Sequence, residues 1–199
     1  KGKEEAIRII ETTELKNDRV LVVYLPDCHE SLAGIIAGRI REKYHRPAFV
    51  LTGGETSAKG SGRSIESYSM YEELVKCADL MIQFGGHPMA AGLSIEEKNI
   101  EEFRRRLNVN CTLTDEELRP KIVIDVPMPV SYITKELVEQ ISLLEPFGKG
   151  NTKPVFAQKN LRVLDHSIIG KNKNVLKLKL LDPQGISVEG IYFGEAEDF

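Results

Sequence analysis

Hydrophobic positions along the first half of the chain alternate between helical spacing and unbroken apolar runs. In residues 3–15, Ala6, Ile9 and Ile10 form one stripe among charged neighbours, which predicts an amphipathic helix. Asn17-Asp18 breaks it. The run from Arg19 to Leu25 is almost wholly apolar and rich in valine, as expected of a strand covered on both faces. Pro26-Asp27-Cys28-His29-Glu30-Ser31 turns the chain. Leu32, Ile35, Ile36 and Ile40 then predict a helix reaching Tyr44. Its Ala33, Gly34, Ala37 and Gly38 make a small face suited to close packing on a sheet. Ala48-Phe49-Val50-Leu51 predicts the next strand, and the three elements make a βαβ-like unit.

Glycine pairs punctuate the next forty residues. Gly53-Gly54 opens a loop or hairpin, and Ala58 to Ile65 is expected to continue as bare backbone with hydroxyls and one arginine. Ser69 and Glu72 have capping-box spacing before a short helix holding Leu74 and Val75. Leu80, Met81, Ile82 and Phe84 run into Gly85-Gly86-His87-Pro88-Met89-Ala90-Ala91-Gly92, which is expected to be a loop. Ser94 and Glu97 fit a second capping box, for a helix buried through Ile100, Phe103 and Leu107. Residues 108–120, with an acidic cluster at Asp115-Glu116-Glu117, predict a domain boundary, and Thr114 with Glu117 would cap one turn there.

The pattern then changes. Ile122-Val123-Ile124 predicts a strand, and Leu137, Val138, Ile141 and Leu144 predict a helix. Runs at 154–157, 161–164, 175–181 and 186–193 come next, each of strand length. Leu176, Leu178 and Leu180 alternate with Lys177 and Lys179, the mark of a sheet with one wet face. Short strands separated by turns predict a small barrel or sandwich.

Composition narrows the class. The 199 residues carry a net charge of −3, so the chain is no broadly basic nucleic-acid binder. The charge is uneven, however: Lys149, Lys153, Lys159, Arg162, Lys171, Lys173, Lys177 and Lys179 stand against Asp165 alone over residues 149–179. Such a run is either a solvated face or a path for a polyanion. No apolar run approaches the roughly 20 residues of a membrane span. Three separated cysteines, Cys28, Cys77 and Cys111, have no zinc-ligand spacing and are expected to be free thiols in a reducing cytoplasm. The helical first residues and the missing initiator methionine lead us to expect a chain that starts in mid-protein.

Two stretches carry candidate chemistry. At Gly85-Gly86 the backbone can approach a ligand closely, and His87 adds a donor to what exposed N–H groups offer an anion. Ser61-Gly62-Arg63-Ser64 combines hydroxyls with a guanidinium able to grip phosphate through two bonds. Each alone also reads as an ordinary turn with a surface side chain. His29 follows the first strand, where open α/β sheets place ligands, and equally suits a helix cap. Arg104-Arg105-Arg106 is most simply a charged helix face. His45 and His166 suit a helix end and a loop. No metal-ligating cluster, phosphate-binding P-loop or nucleophile elbow is present in the sequence.

Four ordered segments resemble the C-terminal part of the RecJ family of bacterial single-strand-specific 5′→3′ DNA exonucleases. They are Leu21–Leu25 with Pro26-Asp27-Cys28-His29 and Gly34–Ile40, then Gly60-Ser61-Gly62-Arg63-Ser64, Phe84–Gly92, and Leu144-Glu145-Pro146-Phe147-Gly148-Lys149-Gly150-Asn151 with Pro154–Ala157. The third is similar to the signature of DHHA1 domains, with Phe84 where wider members carry another glycine. The resemblance implies two domains: an α/β DHHA1 domain, a mixed sheet with flanking helices, at 17–112, and a β-barrel OB-fold at 113–199, with 1–16 ending a linker helix. It further implies that the C-terminus falls early for a complete OB-fold. It places Ser61, Arg63 and Ser64 on the 5′ phosphate, and His87 with Gly85 and Gly86 on a phosphate near the scissile bond. Lys177 and Lys179 would lead single-stranded DNA in. The implied cofactors, Mn²⁺ or Mg²⁺, belong to a DHH domain that this chain does not match, so this chain alone is expected to be inactive. A single-stranded-DNA-binding protein or a helicase are candidate partners, and DNA repair and recombination the implied setting. Cys28-His29-Glu30-Ser31 stands where family members often have Trp-His-Pro-Gly, which leaves the role of His29 open. Two further readings remain: a DHH/DHHA1 phosphodiesterase for oligonucleotides or cyclic dinucleotides, and a non-catalytic nucleic-acid-binding module.

Overall fold

The structure, a computed structural model, describes residues 1–148, 150–170 and 173–194. Lys149 and Lys171 of the basic run, and residues 195–199, lie outside the described residues. The chain divides into two compact units, Lys1–Pro120 and Lys121–Phe199.

The first unit is built on a five-stranded mixed sheet. Strands β1 (Leu21–Leu25), β2 (Ala48–Thr52), β3 (Ala58–Arg63), β4 (Met81–His87) and β5 (Ala90–Ile95) lie in the order β1-β2-β3-β5-β4. Only the β1–β2 pair of this sheet is parallel, joined by helix α2 (Glu30–Tyr44). The first helix, α1 (Gly2–Thr12), stops before the predicted residue 15, and a 3₁₀ turn at Glu14–Asn17 follows. Thr13 caps that turn by accepting from the Leu15 amide. On one face of the sheet, Ala6 and Ile10 of α1 and Ala33, Ile36, Ala37 and Ile40 of α2 bury against Leu21, Val23, Leu25, Ala48 and Val50. On the other, Met70 and Leu74 of α3 (Met70–Val75) and Phe103 and Leu107 of α4 (Ile100–Asn110) pack on Val22, Phe49, Leu51, Leu93 and Ile95. Phe49 and Phe103 meet edge-to-face with centroids 5.4 Å apart, and full burial of such a ring contributes about 2–3 kcal/mol. Two covered faces explain why β1 and β2 are unbroken apolar runs.

Several expectations are corrected. Residues 84–92 are no loop: β4 and β5 pair antiparallel as a hairpin, with Gly85 opposite Gly92 and His87 opposite Ala90. Residues 58–63 are likewise a strand, paired with both β2 and β5. Glycine is a poor strand former, and tertiary packing overrides that preference here. A Cβ at Gly62 would lie 2.6 Å from both Met70 Sδ and the Phe49 ring, so the glycine exists to admit the core. Ser94 caps nothing; it is a buried residue of β5, and α4 begins at Ile100. Ser69 does stand at the N-cap of α3, but its hydroxyl makes no capping bond. The Thr114–Glu117 pair forms as expected: the Thr114 amide donates to Glu117 Oε2, and the Glu117 amide to Thr114 Oγ1.

Asn108 fastens α4 to the start of β1. Its Oδ1 accepts from the amides of Arg19 and Val20, and its Nδ2 donates to the Val20 carbonyl. Asp18 and Arg104 add a part-buried ion pair at 2.5 Å.

In the second unit, β8 (Arg162–Ile169), β9 (Val175–Leu181) and β10 (Ser187–Phe193) form an antiparallel sheet in the order β10-β9-β8. A separate parallel pair joins β6 (Val126–Pro127) to β7 (Phe156–Ala157), and α5 is Lys135–Ser142. Ile122–Ile124 lies outside the strands, and the 161–164 strand extends to Ile169.

Candidate nucleic-acid interface

Strand alternation decides which side chains can meet. On β3 the even positions Ala58, Gly60 and Gly62 face the α3/α4 core, so Lys59, Ser61 and Arg63 emerge on the opposite face. The pairings then set three rows across the sheet: Lys59–Ser94–Gln83, Ser61–Gly92–Gly85 and Arg63–Ala90–His87. The middle strand contributes only small residues, so β3 and β4 form the banks of a shallow trough. A Cβ at Gly85 would meet nothing within 4 Å, and one at Gly92 only the Gly60 carbonyl at 3.8 Å. The floor is therefore bare backbone open to a ligand.

A cavity of about 650 Å³ occupies this trough. Its lining includes Lys59, Ser61, Gln83, Gly85, Gly92 and Ser94, with Glu30, Ser31 and Ala33 from the first turns of α2. Lys59 Nζ donates to Ser94 Oγ at 2.9 Å. Arg63 folds back along α2: a Cβ at Gly34 would lie 2.8 Å from its Nη2, and its Nη1 donates to the Gly62 carbonyl at 2.8 Å. The small helix face thus makes room for the guanidinium as well as for the sheet.

The hairpin turn that carries His87 is pinned from below. The Ser64 amide donates to the Met89 carbonyl at 3.0 Å, and the Met70 amide to the Pro88 carbonyl at 2.9 Å. Gly86 has φ +152°, and a side chain there would run into the Ala90 carbonyl and Ala91. That glycine serves the hairpin, whereas Gly85 serves the floor. His87 is exposed at the edge of the sheet.

The other candidates fall elsewhere. Ser64 is buried, and its hydroxyl donates to the Tyr68 carbonyl at 2.6 Å, a structural bond. His29 is the N-cap of α2: its Nδ1 accepts from the Ser31 amide and sits 2.8 Å from the Ser31 hydroxyl. It lines a different groove, with Tyr24, Asp27 and Leu32. There the Tyr24 hydroxyl is pushed up to about 12, by burial first and then by Glu97. The three consecutive arginines are absorbed by carboxylates: Arg104 by Asp18 and Glu101, Arg105 by Glu102, and Arg106 by Asp79 and Glu102.

Lys177 and Lys179 lie in the second unit on one face of β9. Lys177 pairs with Glu189 of β10 at 3.0 Å, and Lys179 stands in register with Glu189 and Asp165. Glu189 falls beyond the run that looked so basic in sequence, and the sheet brings it back beside the lysines. Lys59 and Gln83 are the residues that sequence reasoning missed. Their signal was the period-two spacing of Lys59, Ser61 and Arg63, which is invisible once the stretch is taken for a loop.

Among the described residues no group of three or more His, Cys, Asp or Glu could hold a metal ion. No helix among them is long and apolar enough to cross a membrane.

Comparison with known proteins agrees with this architecture. Residues 17–111 match the family described as DHHA1 domain, and residues 124–199 the family described as RecJ OB domain. The single-stranded-DNA-specific exonuclease RecJ of Bacillus subtilis is 35% identical over 184 residues, covering 90% of this chain and 23% of that protein. Its namesake from Salmonella typhimurium is 33% identical over 177 residues, covering 84% of this chain and 30% of that protein. A crystal structure of RecJ in complex with Mg²⁺ from Thermus thermophilus superposes with TM-score 0.71 at 26% identity, covering 94% of this chain and 29% of that one. The chain thus spans between about a quarter and a third of the length of these relatives. With a DHHA1 domain followed by a RecJ OB domain in the same order, the chain belongs to the RecJ family and corresponds to its C-terminal part.

Proposed function

We propose that this chain is the substrate-binding part of a 5′→3′ exonuclease acting on single-stranded DNA in repair and recombination. The observation that carries the reading is the trough itself: Ser61 and Arg63 on one bank, His87 on the other, and the bare backbone of Gly85 and Gly92 between them. A phosphate resting on that floor meets hydroxyl and guanidinium donors from β3. His87, at the far end of the Arg63 row, supplies a donor to a phosphate close to the bond that is cut, where charge builds as the bond breaks. Mn²⁺ or Mg²⁺, with which the RecJ crystal structures are complexed, would be held by residues outside this chain and would supply the activated water. The 199 residues alone bind single strands and cut nothing.

The test uses the 199-residue chain with 5′-phosphorylated and 5′-hydroxyl oligothymidylates, read by fluorescence anisotropy. The phosphorylated strand should bind more tightly, and Arg63→Ala should erase the difference. Equal affinity for the two strands, or an unaltered preference in Arg63→Ala, removes the assignment of the 5′-phosphate site. Manganese-dependent digestion by the purified chain removes the claim that it cuts nothing.

A further inference from the structure

We infer that the Lys59–Ser94–Gln83 row is a second backbone-phosphate subsite, gripping the phosphodiester next to the one held by Ser61 and Arg63. The inference rests on the proposed phosphate site and extends it by one nucleotide.

Three observations carry it. Lys59, Ser94 and Gln83 are in register across β3, β5 and β4, one row beyond Ser61–Gly92–Gly85, and all six residues line one cavity. Same-face residues on a strand are about 7 Å apart, close to the step from one phosphate to the next in an extended single strand. The donor chemistry also suits the backbone and not the bases. Lys59 is exposed, it pairs with no carboxylate among the described residues, and Ser94 Oγ holds its ammonium over the trough at 2.9 Å. Gln83 is exposed on the opposite bank, where its amide can donate to a phosphate oxygen. Such donors read a charge without regard to sequence.

Glu30 lines the same cavity and opposes an anion there. It stands in the first turn of α2, where a carboxylate favours the helix start. Its charge keeps the subsite's strength modest, and neutralising it should strengthen the grip on the second phosphate.

The experiment compares thymidine 5′-monophosphate with the dinucleotide pTpT, which adds one internal phosphodiester. Binding to the 199-residue chain is followed by amide NMR shifts at Gly85 and Gly92. Lys59→Ala should weaken pTpT severalfold to about tenfold, lower its salt slope by about 0.7, and change the mononucleotide less than twofold. Gln83→Ala should act in the same direction but less strongly, and Glu30→Gln should tighten pTpT. Equal losses on both ligands would make Lys59 part of the first site or of the general field, and so overturn the subsite; unchanged pTpT binding would overturn it too. Arg63→Ala separates the two claims. If it leaves both ligands bound while Lys59→Ala still discriminates between them, the first assignment fails and the second row stands. Thermal midpoints confirm that each variant is folded.

Discussion

The guanidinium of Arg63 lies so close to Gly34 that a Cβ on residue 34 would stand 2.8 Å from its Nη2, so Gly34 sets where Arg63 can lie. Gly34→Ala adds a methyl against the far end of a flexible side chain, which can swing away without disturbing the fold. Alanine also favours a helix interior over glycine by about 1 kcal/mol. The thermal midpoint should therefore hold or rise. Affinity for 5′-phosphorylated single strands should fall about tenfold, which corresponds to about 1.4 kcal/mol of misplaced charge-assisted bonding. Calorimetry and anisotropy on the same preparation check both halves. A lowered midpoint with intact affinity would make Gly34 a packing residue only.

Neighbouring glycines on β4 should part company in the same assays. Gly86 has φ +152°, and its Cβ would lie 2.6 Å from Ala91 Cα. Gly86→Ala should destabilise the unit by about 1–3 kcal/mol, the usual cost of a strained backbone. At Gly85 a Cβ has open space. Gly85→Ala should fold normally and yet bind single strands poorly, because the methyl fills the floor of the trough. Chemical denaturation and binding titrations distinguish the two. Equal destabilisation would mean that Gly85 is structural too.

Legibility in the sequence followed the hydrophobic pattern. The βαβ start could be read because both of its strands are apolar throughout, and the 175–181 strand could be read from its leucine–lysine alternation. The hairpin and β3 could not. The core-facing positions of β3 after Ala58 are Gly60 and Gly62, whose space is filled by Leu51, Leu93, Phe49 and Met70 from other elements, and in the hairpin Gly86 and Ala91 interrupt the apolar spacing of Phe84, Leu93 and Ile95. The same gap hid Lys59 and Gln83. Ser61, Arg63, Gly85 and His87 were legible as chemistry, but their arrangement in rows needed the register. Ser64 and His29 carried polar chemistry that the fold spends locally, on the Tyr68 carbonyl and on the start of α2.

Glu102 gives the first unit an acid-sensitive contact. Hydrogen bonds from Arg105, and then from Arg106, hold its carboxyl down to about 2. An unfolded glutamate titrates near 4.3. A folded value below the unfolded one contributes stability above about pH 4.3, and that contribution disappears as pH falls to about 2. The group is exposed, so the effect is small. The thermal midpoint of Glu102→Gln should lie slightly below that of the unmodified chain at pH 7, and the gap should close between about pH 4.3 and 2. A gap that stays constant through that range would assign the loss to packing and not to charge.

On the second unit, the lysines of β9 act under restraint from Glu189, which bonds Lys177 at 3.0 Å and faces Lys179 in register. An exposed pair of this kind contributes little to stability, so its removal should leave the fold unchanged. For DNA it matters more, because each lysine already neutralised at home releases fewer counterions when it meets a phosphate. Glu189→Gln should therefore tighten binding to long oligothymidylates and steepen its dependence on salt. Reversal of Lys177 and Lys179 to glutamate should weaken binding and flatten the slope, by about 0.7 for each phosphate no longer neutralised. The comparison also separates the two units, because pTpT is short enough to be served by the trough alone. Its affinity should stay the same in both variants while the long strand responds. A response of equal size on pTpT would show a general field effect, and no response on the long strand would leave Lys177 and Lys179 as solvated surface.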